Sequence, residues 1–156
     1  LLVEPFPTID ISGYPDRHWP CIDVYRSLSM WTSINKAHQL VKQSNVQYDV
    51  IIRGRMDFYV DNFVIEPFDG LTLPFDPDKD VLQFTYKGHQ MCGYNDHFAY
   101  GSPEFMAHYV STLEEIPVLY QDEGVDYCPE NFLAANLYKR NVPVMLQPLE
   151  HCLIRN

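Results

Sequence analysis

At 156 residues, 46% hydrophobic and 14% aromatic, the chain is long enough for one real core and too apolar for a disordered tail. A formal charge of −10, with eleven basic residues and no basic run, argues against a nucleic-acid partner. No apolar stretch has the length of a membrane span and no signal peptide is read at Leu1.

Residues 1–20 hold four prolines and no sustained period, and are expected to be a lead-in hugging the surface. From about Ile22 to Ser44, Met30, Ile34, Ala37 and Val41 recur at helical spacing, joined by Trp31 and Leu40, with Lys36, Gln39 and Lys42 opposite. After a break at Asn45–Gln47 comes YDVIIRGRMDFYV (Tyr48–Val60), an apolar run ending abruptly in Arg53, Arg55 and Asp57. It predicts a strand over 48–53, buried on both faces, with a polar cluster at its carboxyl end, where open α/β sheets bind ligands. Residues 61–80, with three prolines and a Phe-Asp-Gly turn, predict a long loop.

Short strands are expected at Val81–Thr85 and at His97–Tyr100, the latter ending at Gly101. Ser102-Pro103-Glu104 has the chemistry of a helix start, predicting a helix to about Glu115. Pro129-Glu130 predicts another to about Arg140, and Val142–Leu146 and Cys152–Arg155 read as closing strands. The four cysteines (Cys21, Cys92, Cys128, Cys152) form no C-x-x-C pair, so no structural zinc is expected. They read as free buried thiols in a reducing compartment, with a disulfide left open.

Three clusters carry candidate chemistry. Arg53, Arg55 and Asp57 suit a diphosphate and its metal ion, since guanidinium forks bond two phosphate oxygens at once. The competing reading is an Arg–Asp ion pair at a strand end. In the segment from Asn95 to Glu104, Asp96 suits a general base that accepts a proton from a hydroxyl. Alternatively Asp96 caps a turn and His97 is a partly buried strand residue. Glu130 opens its helix, where an acid also simply stabilises the helix dipole. Near the chain end, His151 suits a metal ligand and Arg155 a phosphate contact.

The ordered segments SMWTSINKAHQLV (Ser29–Val41), YDVIIRGRMDFYV, NDHFAYGSPEFMAHY (Asn95–Tyr109), PENFLAANL (Pro129–Leu137) and LIR (Leu153–Arg155) resemble glycosyltransferases of the GT-A type. They are most similar to WavE-like lipopolysaccharide-synthesis and capsular-polysaccharide glycosyltransferases. The resemblance implies an α/β fold: a Rossmann-like GT-A domain over residues 1–156, with a mixed sheet flanked by helices. It implies a nucleotide-sugar donor and a glycan or other hydroxyl acceptor. Asp57 would hold Mn²⁺ or Mg²⁺ with the donor diphosphate, and His151 would complete the metal shell. Arg53, Arg55, Gly101 and Arg155 would line the donor, and Asp96 and Glu130 would be catalytic.

The sequence departs from the family at Arg55, which stands where the first acid of Asp-x-Asp is usual. No counterpart of the nucleotide-base-binding strand is found before Ile22. It is read as a divergent remnant or as lying upstream on a longer polypeptide, of which this chain is expected to be a piece. A cytoplasmic location, or the cytoplasmic side of a membrane-associated glycan assembly system, is expected. The rival reading is a non-catalytic carbohydrate-binding or scaffold domain, its sugars stacked on Tyr86, Tyr94, Tyr120 or Tyr127. A nucleotidyltransferase is a weaker third, for want of a glycine-rich phosphate loop.

Overall fold

The computed structural model describes residues 8–14, 17–19, 22–55, 58–60, 65–66, 70–71, 82–85, 93–147 and 151–153. Residues 8–14 are more than a surface lead-in: Ile9, Ile11 and Tyr14 pack against the core. Tyr14 does so through rings, with centroids 5.4 Å from Tyr120 and 5.6 Å from Tyr127. Strands β1 (Arg17–Trp19) and β2 (Ile22–Asp23) pair antiparallel just before the first helix.

That helix, α1 (Val24–Gln43), starts where the Asp23 carboxylate accepts the Arg26 amide at 3.0 Å. It stops where Asn45 adopts a left-handed φ of 54°. Its buried stripe is Val24, Ser27, Leu28, Trp31 and His38, with Met30 and Ile34 half-buried beside it. The predicted face is thus shifted, and Leu40 is 67% exposed because the last turns run past the core.

Then come β3 (Ile51–Gly54), β4 (Phe58–Val60), β5 (Ile65–Glu66), β6 (Gly70–Leu71), β7 (Leu82–Thr85) and β8 (Phe98–Gly101). The antiparallel pair β5–β6 falls inside the stretch predicted as a loop. Three helices follow, α2 (Pro103–Val110), α3 (Thr112–Gln121) and α4 (Pro129–Lys139), and then β9 (Val144–Gln147) and β10 (His151–Leu153). The single helix expected from Pro103 to Glu115 is therefore two, divided at Ser111 and continuing through Pro117. A proline inside a helix forfeits one backbone hydrogen bond. Fully buried Ile116 and Leu119, on either side of it, offset that loss.

The main sheet is mixed, in the order β3-β8-β7-β9. β8 runs antiparallel to both β3 and β7, and β7 runs parallel to β9. β3 is an edge strand among the described residues and is not buried on both faces, because Ile51 and Arg53 turn inward while Ile52 is 38% exposed. β10 forms a separate antiparallel pair with β4. Helix α2 lies on β8 and touches the other three helices, so it joins the helical layer to the sheet. The core gathers Trp31, Leu82, Ala99, Met106, Tyr109 and Leu133 around it. No helix among the described residues is long and apolar enough to cross a membrane.

Candidate functional site

Antiparallel pairing decides which polar groups share an edge. Gly54 at the end of β3 stands opposite Phe98 at the start of β8, so Arg53 and the Asn95–His97 segment meet at one end of the sheet. A short turn holds that segment, the His97 amide donating to Oδ1 of Asn95 at 2.8 Å. The turn is therefore capped by Asn95, the neighbour of Asp96. Asp96 itself is only 5% exposed, with Nε2 of His97 3.5 Å from its Oδ1.

From above, α2 contributes Tyr109, whose hydroxyl donates to the Asp96 backbone carbonyl at 3.2 Å. Burial raises the proton affinity of that phenol, Arg53 lowers it, and Asp96 and Glu130 raise it further. Arg53, Asp96 and Glu130 therefore lie within electrostatic reach of one buried hydroxyl. Nη1 of Arg53 is buried and has no hydrogen-bond partner among the described residues.

Glu130 arrives on the first turn of α4. Tyr94 donates its amide to the Glu130 carbonyl at 3.3 Å. Next to it, a Cβ at Gly93 would collide with that carbonyl and come within 2.7 Å of the Asn131 nitrogen, so only glycine permits the approach. The Cys128 thiol donates to Oε2 of Glu130 at 2.8 Å. Burial holds the Glu130 carboxyl above its ordinary range, the Cys128 hydrogen bond opposes this, and the charge of Asp96 adds to it. Burial, then Glu130, pushes the Cys128 thiol up to about 12, so it stays protonated and acts as a donor.

No family model matches this chain. Neither does any curated protein or any solved structure.

The structure thus brings together three residues singled out from sequence, Arg53, Asp96 and Glu130. Arg55 follows β3, half-buried, two residues beyond Arg53. Gly101 does not join them. It pairs with Ile51 at the opposite end of the sheet, about 10 Å of strand away. Asp57 and Arg155 lie outside the described residues, as does the side chain of His151. The backbone of His151 stands opposite Val60, in the strand that begins one residue after Asp57.

Among the described residues, no three His, Cys, Asp or Glu side chains group to hold a metal ion. A protonated Cys128 and a nearby Arg53 also suit a cation poorly at the Asp96–Glu130 pair. Of the aromatics considered for sugar stacking, Tyr127 is fully buried edge-on to Phe132 at 5.0 Å, and Tyr120 packs half-buried against it. Tyr86 is outside the described residues, and Tyr94 lines an open trough. Sequence reasoning missed Gly93, Tyr109 and the Cys128 hydrogen bond. Only the third had a local signal, a donor two residues before an acid at a helix start.

Proposed function

We propose that the chain is a glycosyltransferase moving a sugar from a nucleotide donor onto a glycan hydroxyl, on a Rossmann-like domain of the GT-A type. The observation that carries this reading is the convergence of Asp96, Glu130 and Arg53 at one end of a mixed sheet, where α/β folds bind ligands. The mixed sheet, with α2 packed on β8, is compatible with the broader α/β class.

Glu130 is the general base. Its raised proton affinity suits it to take the acceptor's hydroxyl proton as the oxygen bonds to the anomeric carbon. The bond from that carbon to the diphosphate breaks, and its electron pair leaves with the phosphate. Arg53 neutralises the charge that develops, its buried Nη1 being a donor without a protein partner among the described residues. Asp96 sustains the proton affinity of Glu130. Asp57 and Arg55 would extend the diphosphate site, and a divalent ion bound through Asp57 would supply further charge neutralisation.

The test is hydrolysis or transfer with a panel of nucleotide sugars, with and without Mn²⁺. Glu130→Gln should lower turnover about 10²–10⁴-fold, the usual worth of a positioned base. Full activity in Asp57→Ala would remove that residue's role. Calorimetry that finds glycan binding but no affinity for UDP or GDP would turn the assignment to a non-catalytic carbohydrate-binding domain.

A further inference from the structure

Tyr109 is placed to do more than fill the core. Its ring is fully buried on α2, between Met106 and Val110 on the same helix, and packs on Trp31 of α1 with centroids 5.5 Å apart. A phenylalanine ring would fill the same space. The hydroxyl adds a polar atom whose burial costs free energy unless it is bonded. That bond goes to the Asp96 carbonyl at 3.2 Å, and burial keeps the phenol protonated, so it acts as the donor.

The peptide it holds carries the Asp96 carboxylate, whose charge raises the proton affinity of Glu130. Such an effect depends steeply on separation in a site shielded from water. Hydrogen bonds help to fix that separation from both sides. The Tyr94 amide ties the segment to the Glu130 carbonyl of α4, and the Tyr109 hydroxyl ties it to α2. The other titratable and charged groups around the pair are Cys128 on α4, bonded to Glu130, His97 against Asp96, and Arg53 on β3, within electrostatic reach of Tyr109.

We propose that Tyr109 is a positioning residue: by holding the Asp96 peptide, its hydroxyl fixes the Asp96 carboxylate against Glu130 and keeps Glu130 a strong proton acceptor. That this serves a catalytic base rests on the transferase reading; the link from Tyr109 through Asp96 to Glu130 does not.

The experiment is carboxyl NMR titration of Glu130 in the parent, in Tyr109→Phe, in Asp96→Asn and in the double variant. Tyr109→Phe keeps the ring and should move the Glu130 titration to lower pH. Asp96→Asn should move it the same way. In the Asp96→Asn background, Tyr109→Phe should add nothing, because the charge that it positions is gone. Asn136→Ala, which weakens the α2–α3 junction without touching Asp96, should leave the titration in place. The proposal is overturned by an unmoved Glu130 in Tyr109→Phe, by an equal shift with Asp96 already neutral, or by the same shift in Asn136→Ala. A Tyr109→Phe chain that cannot fold makes the hydroxyl a requirement of the core and overturns it too. With nucleotide-sugar turnover, Tyr109→Phe should move the acidic limb of the pH–rate profile to lower pH and leave KM unchanged. The expected Glu130 shifts in a chain that turns over no nucleotide sugar keep the link and sink the transferase reading instead.

Discussion

The thiol of Cys128 and the carboxylate of Glu130 form a hydrogen bond of 2.8 Å inside the first turn of α4. It opposes both the burial and the Asp96 charge that raise the proton affinity of Glu130. In Cys128→Ala, Glu130 should hold its proton to higher pH, and the acidic limb of the pH–rate profile should move upward. Cys128→Ser, which keeps a donor, should lie closer to the parent. Carboxyl NMR of Glu130 reads the same shift without any turnover, and an unmoved titration in Cys128→Ala would discard the thiol's role.

Glu130 also makes stability depend on pH. Its proton is bound more tightly in the fold than at the ordinary value of 4.5, so the folded chain binds more protons in the window above that value. This group's contribution is complete below pH 4.5 and is lost as pH rises through the raised value. Urea titrations across that range should show Glu130→Gln losing this decline and gaining relative stability at neutral pH. Parallel curves for parent and variant would contradict it.

His38 has the opposite sign. It is buried on α1, Nε2 has no partner among the described residues, and burial followed by the Lys42 charge lowers its proton affinity from 6.5. Its contribution is complete above pH 6.5 and is lost as pH falls through the lowered value. His38→Leu should flatten the stability profile in that window, as measured by Tm against pH.

Gly93→Ala should destabilise the chain by about 1–3 kcal/mol, the cost of overpacking a site that has no room to yield. The added methyl meets backbone at Glu130 and Asn131, which cannot rotate aside. Hydrogen exchange at the Tyr94 amide should rise with it. A fully stable variant with a protected Tyr94 amide would contradict the close approach.

Asn136 is fully buried on α4. Its Nδ2 donates to the His108 carbonyl at 2.8 Å and to Oγ1 of Thr112 at 3.0 Å, and its Oδ1 accepts from Nε of Arg140 at 2.9 Å. Asn136→Ala leaves buried groups at the α2–α3 junction without that partner, at a cost of about 2–3 kcal/mol. Chemical denaturation measures it, and a neutral result would show that the junction holds without the amide.

Local chemistry decided much of this protein. Ser102 ahead of Pro103, and Pro129 with Glu130, mark two helix starts because caps and first-turn prolines act within a few residues. The apolar run that becomes β3, and Arg53 within it, were legible for the same reason. What joins distant segments was not legible. The break at Ser111 is bonded by Asn136, 25 residues later, and a glycine at 93 admits the Glu130 carbonyl from another element. The meeting of Arg53, Asp96 and Glu130 follows from strand register and helix docking. The removal of Gly101 to the far end of the sheet follows from register alone. Register and docking are set by burial summed over the whole core, and no window of sequence contains that sum.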